Sequence, residues 1–200
     1  PTQWQKSVYP ARYHGLLEVV HEGIDSDTVK PDAQAVLELG QGALRLTAGE
    51  EIVTYVARNL EPYRGFPSFM RSLPAILAAR PRAKVIIVGG NQTSYGSPLP
   101  NGQSYKQALL DELGDAIDPQ RVHFLGKVPD AIFLRLLQVS AVHVYLTYPF
   151  VLSWSMLEAM AAGCLLVASK TAPVEEVITD GSNGWLVDFF SPEAIAERVI

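Results

Sequence analysis

The sequence has one cysteine, Cys164, in 200 residues. That rules out an internal disulfide framework and fits a reducing, cytoplasmic setting. It has no long apolar run: KVIIVGG and GCLLVAS are strand-length, far short of the roughly 18 residues a membrane helix needs. It has no basic excess. A net charge of −5 argues against broad binding to nucleic acid or to an anionic membrane. The histidines His14, His21, His123 and His143 are scattered, so no spacing among them resembles a metal site. No nucleophile stands in a Ser-His-Asp or Cys-His setting, and Cys164 opens an apolar stretch and reads as core. Internal repeats, low-complexity tracts and a signal-peptide pattern are also missing.

What remains is an ordinary globular composition. Hydrophobic residues make up 48% and charged residues 18%, enough for a sizeable core. The chain starts PTQWQKSVYP without an initiator Met and stops inside SPEAIAERVI, an amphipathic helical pattern. The expectation is a piece of a longer protein.

Regular order is expected from Glu51 onward. EIVTYVA, KVIIVGG, RVHFLG, AVHVYLTY, CLLVAS and GWLVDF read as strands. Between and after them PSFMRSLPAILAAR, SYKQALLDELGDAI, DAIFLRLLQVS, SWSMLEAMAAG, VEEVITDG and SPEAIAERVI read as helices, with Pro74 a candidate kink and Gly163 a helix stop. The strands are continuous apolar runs, which means both faces are covered. The predicted fold is an α/β, doubly wound, Rossmann-like parallel sheet. Residues 1–49 are looser. Within them 16-LLEVVHEGID-25 reads as a short strand and turn, and 26–50 as a connecting segment with one short helix.

Ligands of such sheets sit at the carboxyl ends of the strands, so the loops there are the candidates for chemistry. In 57-ARNLEPYRGF-66, Arg58 and Arg64 suit a phosphate or diphosphate; the alternative is two surface arginines, one paired with Glu61. The glycines of 88-VGGN-91 allow close backbone approach, or mark a plain turn. The polar loop 91-NQTSYGSPLPNGQ-103 is a lid or an insertion. In 148-YPFVLSWSMLEAMAAG-163, Ser153 and Ser155 can cap a helix whose first amides form an anion site. Glu158 within it is either a dipole-favoured solvated acid or a partner for ribose hydroxyls. The stretch 170-KTAPVEEVITDGSNGWLV-187 reads as helix, turn and strand.

In this order the segments resemble the carboxyl-terminal domain of retaining GT-B glycosyltransferases of the group 1, or family 4, type, over about residues 50–200. The weaker similarity at 16–25 resembles that fold's interdomain crossover. The resemblance implies that 50–200 is a donor-binding domain, one half of a GT-B fold, and that 1–49 is the crossover and linker from an amino-terminal domain. It puts Arg58 and Arg64-Gly65 in the place of the family's basic pair, with Arg for the usual Lys, and gives them the diphosphate. It gives Glu158, in the "LEAMAAG" context, the ribose hydroxyls. The backbone of Leu152, Ser153 and Trp154 would face the diphosphate, and Gly89 and Val128, after the second and third strands, would complete the nucleotide site. The family's first glutamate falls on Phe150, and its Gly-Phe-Gly on Val151-Leu152-Ser153. The segment 175-EEVITDGSNGWLV-187 matches the family's downstream pattern.

The implied activity is transfer of a sugar, with retention and without a metal, from a UDP- or GDP-linked donor to a glycan, lipid or small-molecule acceptor. No further cofactor and no nucleic acid is implied. The full-length protein would pair this domain with its own amino-terminal domain and would be compatible with peripheral membrane association. The chain alone is expected to bind nucleotide weakly and transfer little. Two other readings stand beside it: a sugar-nucleotide epimerase, and a non-catalytic GT-B-like domain that binds a glycan or protein through Tyr148, Phe150 and Trp154.

Overall fold

The computed structural model describes residues 1–200. In chain order the elements are α1 (Gln3–Ser7), β1 (Val36–Leu39), β2 (Leu44–Thr47), β3 (Ile52–Asn59), α2 (Phe66–Ala79), β4 (Lys84–Gly90), α3 (Tyr105–Leu113), β5 (Val122–Gly126), α4 (Asp130–Val139), β6 (Val142–Tyr145), α5 (Trp154–Ala161), β7 (Leu165–Ser169), α6 (Ala172–Glu175), β8 (Trp185–Val187) and α7 (Pro192–Val199). Strands β3 to β8 form one sheet in the order β5-β4-β3-β6-β7-β8. Every neighbouring pair in it is parallel, as the apolar runs predict.

Alternate strand residues feed two cores, which is why the runs are apolar throughout. Val53, Tyr55, Val85 and Ile87 face one side, against Phe66, Phe69 and Leu73 of α2, Leu109 of α3 and Ile195 of α7. Ile52, Ile86 and Val88 face the other side, against Leu136 and Val139 of α4. Beyond β6 that second side continues with Leu166 and Ala168, which pack on Met156 and Ala159 of α5. The sheet is therefore doubly wound. After β3 the chain adds β4 and β5 on one side, then crosses to lay β6 on the other. The order reverses between β3 and β6, and a crevice is expected outside their carboxyl ends.

Two expectations change. The connecting segment holds no short helix; it forms an antiparallel hairpin, with Leu37 opposite Leu46. Both leucines are buried with Ile52, Ile86 and Leu136, so the hairpin belongs to the core. The stretch 16–25 is not a strand: a 3-10 turn spans Ala11–Leu16, and no ladder follows it. Pro74, the candidate kink, lies inside α2, which runs through it to Ala79.

The downstream motif is architectural. Glu176 accepts the first amides of α1, from Gln3 (2.7 Å) and Trp4 (2.6 Å). Asn183 accepts from the Thr179 amide (2.7 Å) and donates to the Val177 carbonyl (2.9 Å), while Asp180 accepts from the Leu186 amide (2.9 Å). These bonds close the turn into β8. Cys164 is buried, as expected, and burial pushes its thiol up to about 11. No helix is long and apolar enough to cross a membrane.

His143 on β6 is fully buried, with its Nδ1 2.8 Å from Thr54 Oγ1 and no partner for Nε2. Burial lowers its pKa to about 4. The unfolded chain therefore binds a proton, near its ordinary pKa of about 6.5, that the folded chain refuses. Its contribution to stability is complete above about pH 6.5 and is lost as pH falls toward 4, by roughly 3 kcal/mol in all. His123, lowered by burial and then by Lys84, acts in the same direction. Urea unfolding at pH 7.5 and pH 5 should show the drop; equal stabilities at the two pH values would contradict it.

Candidate functional site

A cleft of about 660 Å³ opens at the β3–β6 switch point. It draws on the ends of β3, β4, β5 and β6 and the start of α5. Arg58, at the end of β3, is exposed and lines it. Arg64 closes the 3-10 turn Pro62–Arg64, which Gly65 terminates at φ 69°. The Tyr55 hydroxyl donates to the Arg64 carbonyl (2.5 Å), and the Tyr148 amide donates to the Tyr63 carbonyl (3.0 Å). The first bond ties the turn to its own strand, and the second stitches the loops after β3 and β6 together. Arg64 then reaches the cleft, with Nη1 3.3 Å from Thr147 Oγ1.

Gly65 is required for this geometry. Its φ of 69° disfavours any side chain, and a Cβ there would run into Leu146, whose Cδ1 would lie 2.8 Å away. Left-handed backbone strain and overpacking together should cost Gly65→Ala roughly 2–4 kcal/mol. A urea midpoint equal to wild type would contradict this account of the turn.

Neither Arg58 nor Arg64 forms an ion pair. The chain's pairs lie elsewhere, as in Arg71–Glu112 (2.6 Å) and Lys84–Glu50 (2.7 Å). The alternative of an arginine tied to Glu61 is therefore not what the fold builds. Glu61 is buried and accepts backbone amides from Ser94, Tyr95 and Gly96 instead.

Glu158 faces the same cleft from the second turn of α5. It is half-buried, not a solvated edge residue. Burial raises its pKa, and the charge of Asp130 raises it further. A carboxylate kept beside a cavity with no cation to offset its burial is placed to meet neutral hydroxyl donors. Gly89 and Val128 also line the cleft. Gly89 has a packing reason as well, since a Cβ there would stand 2.8 Å from both the Ala57 carbonyl oxygen and Leu60 Cδ2.

The start of α5 is only partly as expected. Ser153 lines the cleft and occupies the N-cap position, but its side chain makes no capping bond. Its Oγ lies 3.0 Å from Ser155 Oγ, and its amide donates to the Tyr145 hydroxyl (2.9 Å). Leu152 is 8% exposed and packs in the core beside Met156. Trp154 is 57% exposed and its side chain lies outside the cleft lining. Of the eight residues expected at the site, the fold brings Arg58, Arg64, Gly89, Val128, Ser153 and Glu158 to the cleft and leaves Leu152 and Trp154 outside its lining.

Lys127, Tyr145 and Tyr95 also line the cleft. Lys127 follows Gly126 at the end of β5, where the strand-end rule could have found it. Tyr145 reads as one more strand residue, and only the fold reveals its hydroxyl at the cleft. Phe150 lies beside Arg64, 5.6 Å from guanidinium carbon to ring centroid.

Comparison with known proteins agrees with this architecture. Residues 50–200 match the family described as Glycosyl transferases group 1, and residues 1–29 match the Glycosyl transferase family 4 group. The D-inositol 3-phosphate glycosyltransferase of Mycobacterium sp. (strain JLS) is 30% identical over 172 residues, covering 86% of this chain and 36% of that protein. Spore coat protein SA of Bacillus subtilis (strain 168) is 29% identical over 188 residues, covering 91% of this chain and 48% of that protein. The chain thus spans about a third to a half of the length of these relatives. Among solved structures, HepE of Anabaena in complex with UDP and glucose superposes with a TM-score of 0.73 at 21% identity, covering 93% of this chain and 47% of that one. The C-terminal domain of the group 1 family protein LpcC from Francisella tularensis gives 0.69 at 18% identity, covering 88% and 86%. With more than half of its length matched to one family and its sheet folded as a GT-B Rossmann-like domain, the chain belongs to the group 1 glycosyltransferases.

Proposed function

We propose that the cleft binds a nucleoside-diphosphate sugar and that the protein transfers the sugar, with retention, to a hydroxyl-bearing acceptor. One observation carries this reading. Two arginines without ion-pair partners and a half-buried carboxylate without a cation converge on one cleft at the sheet's switch point. As the bond from the sugar to the diphosphate breaks, negative charge grows on the departing oxygen. Arg58 and Arg64 neutralise that charge, with Lys127 near them and the N-terminal end of α5 adding its dipole. In this reading the cations do the work a metal could otherwise do. Glu158 accepts hydrogen bonds from the ribose hydroxyls, and the strand ends at Gly89 and Val128 receive the rest of the nucleoside. The HepE structure, a complex with UDP and glucose whose chain contains a domain of this fold, supports the assignment. Because the chain spans about a third to a half of its relatives, the acceptor is assigned to the remainder of the full-length protein, its own amino-terminal domain.

Phe150 favours a second reading, a GT-B-like domain that binds without transferring, because an aromatic ring replaces the acid expected to meet the sugar. Tyr148, 48% exposed, and Trp154 would add to such a surface. An epimerase would need an acid or histidine set for proton abstraction; no histidine lines the cleft, and of its two acids, Asp130 and Glu158, this reading gives Glu158 to the ribose. A product assay on the full-length protein with radiolabelled UDP- and GDP-sugars separates the readings. Release of nucleoside diphosphate with labelled acceptor is expected; nucleotide binding with neither transfer nor donor hydrolysis would favour the binder.

A further inference from the structure

Glu61 is the one acidic side chain among the fully buried residues, at 0% exposed. A carboxylate is kept in such a place only where polar groups receive it. Its Oε2 accepts three consecutive amides, from Ser94 (3.0 Å), Tyr95 (3.0 Å) and Gly96 (3.2 Å). Two residues earlier, Asn59 donates from Nδ2 to Ser94 Oγ (2.5 Å). Asn59 and Glu61 lie between Arg58 and Arg64 on the stretch ARNLEPYRGF. The polar loop after β4, which has neither helix nor strand over 91–103, is thus pinned at one point to the segment that carries both arginines.

Pinning decides where Tyr95 stands. The Arg64 guanidinium lies 5.3 Å from the centre of its ring and 5.6 Å from that of Phe150. The two rings meet edge to face at 4.7 Å. Both distances fall within the roughly 6 Å of a favourable cation–π contact. A converging run of amides is an anion-binding nest. Here it is filled from within by Glu61, so what the loop offers the cleft is the Tyr95 ring. Without that ring, Arg64 would keep only Phe150 and the 3.3 Å contact to the Thr147 hydroxyl.

We propose that Glu61 is a positioning residue for the diphosphate site: it holds Ser94–Gly96 so that Tyr95, with Phe150, fixes the Arg64 guanidinium before the ligand arrives. The gain is preorganisation, since a free arginine side chain loses considerable rotamer entropy on binding. The proposal rests on reading the cleft as a nucleoside-diphosphate site.

The test is calorimetric titration with UDP and GDP, and with uridine and guanosine, of wild type, Glu61→Gln, Tyr95→Ala and the double variant. Each single change should weaken diphosphate binding about tenfold and leave nucleoside binding near wild type. The double variant should be no worse than the weaker single, because both act through one ring. Tyr95→Phe should restore most of the loss seen in Tyr95→Ala. Additive losses, or equal losses for nucleoside and diphosphate, would overturn the proposal. Tyr95 lies in a half-open loop and its replacement spares the core, so it decides the matter even if Glu61→Gln does not fold: an unchanged preference for diphosphate in Tyr95→Ala overturns the proposal alone. If wild type binds neither UDP nor GDP, the underlying reading of the cleft fails with it.

Discussion

Replacing Arg64 by alanine is expected to weaken UDP and GDP binding by about 10- to 100-fold while leaving uridine and guanosine almost unaffected. Hydrogen bonds to a charged partner contribute about 1.5–3 kcal/mol, and a guanidinium offers two parallel donors to a phosphate. Arg64 can supply them because it forms no ion pair, so no carboxylate competes for its donors. Its backbone is set by the bond from the Tyr55 hydroxyl and by the left-handed Gly65 that follows. Arg64→Lys, which keeps the charge, should recover much of the loss but not its bidentate part. Equal loss for nucleoside and nucleoside diphosphate in Arg64→Ala would show that the residue shapes the cleft as a whole and has no particular task at the diphosphate.

The second large effect concerns Glu158. Glu158→Gln should weaken UDP and GDP binding about tenfold or more, since a neutral amide makes weaker bonds to hydroxyls than a carboxylate does. The loss should vanish for 2′,3′-dideoxy nucleotides, which lack those hydroxyls. Stability should move the other way. Burial and Asp130 raise the Glu158 pKa, so the folded state prefers the neutral acid. A raised carboxyl pKa means a charge borne at a cost above that pKa and relieved as pH falls through it. Glu158→Gln removes the charge, so at pH 7.5 the variant should unfold at the same temperature as wild type or a higher one. A lower melting temperature with unchanged nucleotide affinity would show a structural role and no ligand role.

Which parts could be read in advance follows from where each signal is written. KVIIVGG and CLLVAS declare buried parallel strands because most of their apolar residues alternate between two cores. Arg58, Arg64 and Glu158 could be found because the strand-end rule names the places to look and their chemistry stands out there. The hairpin escapes a sequence reading for a local reason. VLEL and LRLT alternate correctly, but Gly40 and Gly42 between them read as looseness when they mark the turn. LLEVV at 16–20 misled in the opposite way: it has strand composition, but no neighbouring strand in the fold pairs with it. Glu61 and Tyr145 were hidden for another reason. Their partners, Ser94–Gly96 and Ser153, are separated from them by whole elements or by a loop that only the fold closes. A buried acid beside two arginines looks in sequence like an ion pair, and only the folded chain shows its oxygen turned toward three amides.

Calorimetry of this chain with UDP and GDP, carried to millimolar ligand, should give saturable heat for at least one of them, tighter than for the matching nucleoside and lost in Arg64→Ala. Absence of heat for both, with the protein shown to be folded, would contradict the assignment of the β3–β6 cleft as a nucleoside-diphosphate site.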